Sequence, residues 1–455
     1  MTQAATPPQH AGAPQRILST WDAIAIIVGL VVGAGIFKLP SLVAGFTASE
    51  PVFYGVWIAG GVISLIGALC YAELASAYPN AGGDYYFVQR AYGRNLSFLY
   101  AWARIAVITT GSIGVLGYTF GDYMSNILSL GPQSSALWAG IAVIALTAVN
   151  LIGIRETKRT QNILTTLEVL GLVLVIFVGL LLVAPAAPGA PASVSAASEP
   201  RPWTAGLPLA ILFVLFTYGG WNEGAYISAE LKDRSRAMVR SLAVSLALVT
   251  VLYLLVNYAY ARSLGLAGVA KTQTVAADVL ALAFGTTGAK LMSLIISISA
   301  LTSINSTVIV GARSNFALGR DWPLFGWLGR WDDRADAPRN ALVVQAVVAL
   351  LLIALGAFTR KGFETMVEYT MPVFWFFFML VGIGLIVLRR KEPATPRPFR
   401  VPLYPITPLI FIATCAYLFY SSVAYVKGGA LFGIGVLAVG AVLIALGMAV
   451  RRSPA

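Results

Sequence analysis

The chain has 455 residues, of which 58% are hydrophobic and only 11% charged, and it carries a formal net charge of +12. A soluble globule carries about 25% charged residues, so this composition excludes one, and apolar runs of roughly 20 residues point to lipid-spanning helices. The polar–apolar alternation of a membrane barrel is absent, and the basic residues sit in short loops between apolar runs, which removes the case for nucleic acid.

The first 17 residues read as a flexible Pro/Gln/Ala-rich tail holding the single histidine, His10. The tail lacks the basic start and small-residue cleavage site of a signal peptide, so the first apolar run is expected to stay in the mature protein. Asp22, three residues after Ser19, reads as a helix-start acid matched to the dipole. Twelve spans follow, at about 18–47, 52–78, 96–129, 136–152, 160–183, 204–230, 237–261, 288–318, 340–357, 365–389, 404–426 and 429–450. The loop 184–203, "APAAPGAPASVSAASEPRPW", is low-complexity and reads as a flexible connector. Cys70 and Cys415 both lie in apolar runs, so neither a disulfide framework nor a zinc site is expected.

Lysine and arginine concentrate in alternate loops: Arg155, Lys158 and Arg159; Lys232, Arg234, Arg236 and Arg240; Arg389, Arg390, Lys391, Arg397 and Arg400. The positive-inside bias then places both termini in the cytoplasm of a multi-pass cell-membrane protein. Anionic lipid headgroups account for the basic balance.

Two spans carry interruptions. In the first, Gly33-Ala34-Gly35 divides a run longer than one span needs; in the sixth, "LFTYGGWNEGAY" (215–226) places Gly219-Gly220 near the middle. Each glycine costs about 1 kcal/mol relative to alanine in a helix. Unwound backbone at membrane depth is tolerated only where it is buried or lines a wet cavity. Close helix packing is the plainer reading of one such pair. Interruptions at matching places in two halves instead point to a carrier built from inverted repeats. Free N–H groups of Ala34, Gly35 and Ile36 would take a carboxylate, and carbonyls near Leu30, Val31, Phe216 and Thr217 an ammonium. Gly33, Tyr218 and Gly219 complete the unwound stretches.

The stretches "GAGIF" (33–37), "YAELASAYPNAGGDYYFVQRAYG" (71–93), "FTYGGWNEGAYISAELKD" (216–233), "GRDWPLF" (319–325) and "PRPFRVPLYP" (396–405) together resemble the amino acid–polyamine–organocation (APC) superfamily. The pattern is nearest to the L-type amino acid transporters and their bacterial relatives. The resemblance implies an all-α membrane fold of twelve transmembrane helices, a LeuT-like 5+5 inverted repeat with two C-terminal helices and with helices 1 and 6 discontinuous. The core would be 18–389, with repeats at about 18–183 and 204–389, followed by 390–455. It implies alternating access, with Gly33, Ala34 and Gly35 holding a carboxylate. Phe216 would act as a gating aromatic or as ordinary helix packing, and Asn222, after Trp221, as a support of the unwound segment.

Many sodium-independent members carry a lysine in the fifth span, where this chain has Glu168. Eight residues beyond Thr160, at about 1.5 Å each, Glu168 sits within the membrane, where a charge costs about 2.5–3.5 kcal/mol. It reads as a coupling residue, or as a protonated carboxyl bonded to a neighbouring helix. Thr302 and Ser303, in "ALTSINS", resemble the hydroxyl pair that binds Na⁺ with first-span carbonyls near Val31; back-bonding to their own helix is the alternative. Lys38 is expected to snorkel toward the outer water, or else to attract acidic substrates. Glu73, Arg104 and Glu223 read as inner-gate residues or structural ion pairs. The loop 131–136 has no cysteine, so no disulfide-linked heavy chain is expected.

The expectation is therefore a secondary amino acid transporter. It would be no enzyme, would need no cofactor, and would couple to H⁺ or Na⁺ or work by exchange. A polyamine or organic amine carrier is the first rival, and would want an acidic pocket, for which only Glu168 and Glu223 are candidates. A non-transporting amino acid sensor is the second, and the short tails argue against it.

Overall fold

The computed structural model describes residues 19–80, 82–153, 158–186, 203–231, 234–332, 337–359, 362–426, 433 and 435–445. The tail 1–17, most of the connector 184–203, and parts of the expected span 429–450 lie outside these residues. Among the described residues the regular structure is helical, apart from one isolated bridge between Asp332 and Ala337.

The first expected span is two helices, α1 (Thr20–Val31) and α2 (Leu39–Phe46), joined by a tight turn at Ala34–Phe37. At 1.5 Å per residue, the twelve residues of α1 are too short to cross a bilayer alone. Ser19 and Asp22 close a reciprocal cap at its start: the Asp22 N–H donates to Ser19 Oγ at 3.2 Å, and the Ser19 N–H to Asp22 Oδ2 at 2.9 Å. The helices α3 (Glu50–Ala77), α4 (Gly83–Tyr92) and α5 (Arg94–Ala103) follow. A π-helical turn, Arg104–Ile108, leads into α6 (Thr109–Ile127), then α7 (Ser134–Ile152) and α8 (Lys158–Phe177). The sixth expected span begins as α9 (Trp203–Thr217), unwinds, and continues as ten residues of tight turns, Trp221–Glu230. The remainder is α10 (Arg234–Lys271), α11 (Val275–Asp321), α12 (Arg339–Phe358), α13 (Gly362–Lys391) and α14 (Ile406–Val426).

Eight helices among the described residues are long and apolar enough to cross a membrane. Three regions differ from the sequence reading. The loop after α3 holds α4, whose Asp84, Phe87 and Val88 are buried. The seventh helix continues past residue 261 to Lys271 around a left-handed Gly265. The eighth begins at Val275 rather than 288 and turns at Gly285 (φ 62°). Residues 275–284 are too short to announce a span, yet they bury Val275, Ala276, Ala277, Val279 and Leu280. They pack on protein instead of crossing lipid.

The core is one continuous cluster between α3 and α10, α6 and α11, and α13 and α14. A second, smaller cluster joins α5 to the end of α11 through Phe98, Leu318, Trp322 and Leu328. Around the bundle, Ile144, Leu170, Leu248, Val251, Leu291 and Leu351 are exposed apolar side chains, as a surface solvated by hydrocarbon requires.

Candidate functional site

The two interruptions lie against each other. At the first, Val32 leaves the helix (φ −74°, ψ 84°) and Gly33 is extended (φ −118°, ψ −172°). At the second, the Gly219 N–H turns back to the Phe216 carbonyl at 3.1 Å and Gly220 takes φ 106°. A Cβ at Gly220 would collide with the Leu30 carbonyl oxygen. Gly220 is therefore demanded twice, by its backbone angle and by this approach. A Cβ at Gly35 would sit 3.6 Å from Thr217 Cγ2, and one at Gly33 would meet nothing nearer than Ser303 Oγ at 4.0 Å. At both positions there is space for a methyl group and no left-handed backbone.

Tyr253, on α10 and fully buried, ties the breaks together. Its hydroxyl donates to the Val31 carbonyl at 2.8 Å and stands 3.3 Å from that of Thr217. Sequence reasoning missed this residue, because nothing local marks one tyrosine among many in an apolar run. Tyr218 packs its ring on Tyr253 at 5.1 Å and donates its hydroxyl to the Trp57 carbonyl at 3.1 Å. Ala34, Ile36, Thr217 and Asn222 are buried; Gly33, Gly35, Phe216 and Gly219 are half-buried at the breaks. Phe216 packs on the rim of the core. Trp221 packs on Tyr71, Phe378 and Phe411, at 5.1, 5.8 and 6.4 Å between ring centroids.

Glu168 is 4% exposed on α8 and accepts a hydrogen bond from the Ser299 hydroxyl on α11. Ser299 stands four residues before Ser303, on the same helix face. That spacing was the available signal, but the "ALTSINS" stretch begins one residue after it. Ser303 faces Gly33. Thr302 bonds back to the Ile298 carbonyl at 3.0 Å, the local alternative its residue type allows.

Lys38 corrects the sequence reading. It does not snorkel: at 4% exposure it lies buried, with Nζ 2.6 Å from Asp122 Oδ2. An opposite charge 84 residues along the chain, in another helix, holds it inside.

At the arginine-rich end the charges pair. Arg104, on the π-helical turn, stands 3.8 Å from Glu223, just after the second break. Beside it Asp84 accepts from the Tyr100 hydroxyl at 3.1 Å. Burial, with Glu223 adding to it, pushes the Asp84 carboxyl up to about 7, against the pull of Arg104. Glu73, 2% exposed, accepts from Arg389 Nε at 2.7 Å and from the Val401 N–H at 2.7 Å, with Arg397 at 3.6 Å. This acid anchors the stretch 396–405 to the end of α3.

Residues 18–449 match the family model described as amino acid permease. The chain is 30% identical over 406 residues to the large neutral amino acids transporter small subunit 2 of Mus musculus, covering 87% of this chain and 74% of that protein. It is 26% identical over 412 residues to the b(0,+)-type amino acid transporter 1 of Mus musculus (89% and 82%). It is also 26% identical over 398 residues to the serine/threonine exchanger SteT of Bacillus subtilis (strain 168) (86% and 87%).

Proposed function

The chain belongs to the amino acid permease family, a family of membrane transporters and not of enzymes, and from that premise we propose a secondary amino acid carrier working by alternating access. Its core is two inverted five-helix repeats, about 18–183 and 204–389, joined by 184–203 and followed by helices 11 and 12 within 390–455. Both termini lie in the cytoplasm, and the arginine-rich end faces inward.

One observation carries the reading. Two membrane helices break at a shared level and touch there, and neither Gly33 nor Gly35 is required by packing or by backbone angle. A glycine that the fold does not need is explained by something that must approach the backbone closely. The carboxylate of an amino acid takes the N–H groups of Ala34, Gly35 and Ile36, while the Gly33 N–H closes on the Val31 carbonyl at 2.9 Å and leaves the extended Gly33 as the hinge before them. Its ammonium takes carbonyls from Leu30, Val31, Phe216 and Thr217, with Tyr253 holding two of these carbonyls in place. Tyr218, Gly219 and Asn222 shape the second break. Backbone groups read only the head of the substrate, which leaves side-chain selection to the surrounding pocket.

Coupling falls to Glu168. A carboxyl among apolar helices with one hydroxyl partner is suited to exchange a proton or to attract Na⁺ toward Ser303, Thr302 and the Val31 carbonyl. Of the two acids that a polyamine pocket would need, Glu223 is paired with Arg104 at 3.8 Å, which leaves Glu168 alone and favours the amino acid reading. The loop 131–136 offers no cysteine for a disulfide-linked partner.

Purified protein in liposomes tests this, by uptake of a labelled amino acid panel under imposed H⁺ or Na⁺ gradients. Saturable uptake of at least one amino acid is the expected result; no uptake of any, from correctly folded protein, rejects the reading.

A further inference from the structure

The Lys38 ammonium has three hydrogens, and three acceptors meet them: Asp122 Oδ2 at 2.6 Å, Gln273 Oε1 at 2.7 Å and the Gln273 carbonyl at 3.0 Å. The Phe363 ring lies 5.5 Å from the nitrogen. Asp122 in turn accepts from the Ser135 hydroxyl through its other oxygen. One nitrogen thus gathers α2, α6, the turn at 272–274 and, through Ser135, α7.

Neighbouring contacts run the same way. The Tyr123 hydroxyl donates to the Phe37 carbonyl at 2.7 Å, and Asn126 Nδ2 to Thr274 Oγ1 at 3.1 Å. Just beyond the first break Ile36, Phe37 and Leu39 are fully buried. Before the break, α1 packs on α10 and on 221–230 and leaves Trp21, Ile26 and Leu30 exposed, Leu30 at 37%.

We infer that Lys38 is an outer latch: it fixes the outer half of the first span against α6 and the 272–274 turn whenever the pathway is shut from outside. This rests on the carrier reading, in which that half-helix moves. The latch suits reversible work. A buried ammonium is tolerated only with its bonds complete, and when the pathway opens water replaces those acceptors, so neither state leaves the charge unsolvated. An apolar plug would favour the shut state alone. With its three donors engaged, Lys38 has none left for a substrate carboxylate while the latch is closed, so it is a positioning residue.

The test uses the full chain in liposomes, with Thr274→Cys as reporter, because Thr274 is buried at the latch while both native cysteines are buried inside the bundle. A membrane-impermeant maleimide is added from outside. Lys38→Met and Asp122→Asn are expected to speed labelling of the reporter about tenfold by shifting the population toward the outward-open state, and Lys38→Arg to keep it near the parent rate. Should Lys38→Met fail to fold, Gln273→Ala removes one acceptor and is expected to give a smaller rise. Parent-rate labelling in a folded Lys38→Met, or in Gln273→Ala where Lys38→Met cannot be made, overturns the latch. So does a change in preference between glutamate and leucine with labelling unmoved, which would make Lys38 a substrate contact. If the parent protein transports no amino acid, the carrier reading falls by itself, and the labelling rates still decide whether the ion pair holds the outer end shut.

Discussion

The Tyr253 hydroxyl donates to the Val31 carbonyl at 2.8 Å, and Val31 is the last helical residue before the first break. The same hydroxyl stands 3.3 Å from the Thr217 carbonyl, at the last helical residue before the second. One side chain of α10 therefore sets the spacing of both interruptions. Tyr253→Phe keeps the ring and removes the donor, at a cost of about 0.5–1.5 kcal/mol, because the Val31 carbonyl keeps the Gly33 N–H at 2.9 Å. The expected outcome is a lower unfolding temperature in detergent and a raised KM for uptake. Unchanged KM with lowered stability would confine Tyr253 to a structural part.

Three glycines separate fold from ligand. Gly220→Ala meets both a left-handed backbone angle and the Leu30 carbonyl, and is expected to destabilise by about 1–3 kcal/mol. Gly33→Ala and Gly35→Ala meet only open space or ordinary contacts, so both should unfold at the parent temperature. Both should nonetheless lose the stabilisation that added substrate gives in a thermal-shift assay. Retained substrate stabilisation in both would move the carboxylate site elsewhere.

Glu168→Gln keeps the shape of the side chain and the Ser299 bond but removes the charge. Gradient-driven accumulation should disappear while exchange across the membrane persists, as read by counterflow of labelled substrate in liposomes. Accumulation that survives the change would take the coupling role from Glu168.

Asp84 gives a pH dependence with a defined sign. Its carboxyl is raised from 3.8 to about 7 by burial. Between those values the folded state holds a proton that the unfolded state has released. The stability it contributes is complete below about 3.8 and is lost as pH rises toward about 7. Asp84→Asn should flatten that part of the profile of unfolding temperature against pH. A variant profile parallel to the parent's would remove Asp84 as the cause.

Both breaks were legible in the sequence because the interruptions recur at matching places in two spans; a glycine pair alone marks no break, as Gly60-Gly61 within the unbroken α3 shows. The cap at Ser19 and Asp22 was legible because its partners are three residues apart. What stayed hidden depends on distant partners. Lys38 meets Asp122 and Gln273 across 84 and 235 residues, so local composition suggested a snorkelling stem where the fold supplies a counter-charge. The helix at 275–284 was hidden because it buries its face on protein, which leaves no twenty-residue apolar run. Glu73 reads as an ion-pair candidate, but its hold on Val401 could not be foreseen. Ser299 was overlooked because hydroxyls in apolar helices most often bond their own backbone, as Thr302 does.

The turn at Arg104–Ile108 winds one residue wider than its surroundings, with Arg104 at its start and Asp122 further along α6. A helix advances about 100° per residue, and the wider turn winds by less, so it takes up the surplus residue and leaves the azimuth from Thr109 onward close to that of an uninterrupted helix. Arg104 faces Glu223 and Asp122 faces Lys38 along one rod that carries the surplus residue between them. Deleting one amino acid there would leave the span just as greasy and nearly as long. The wide turn would tighten into ordinary helix, and Asp122 and Tyr123 would still face the lysine and the peptide they now serve.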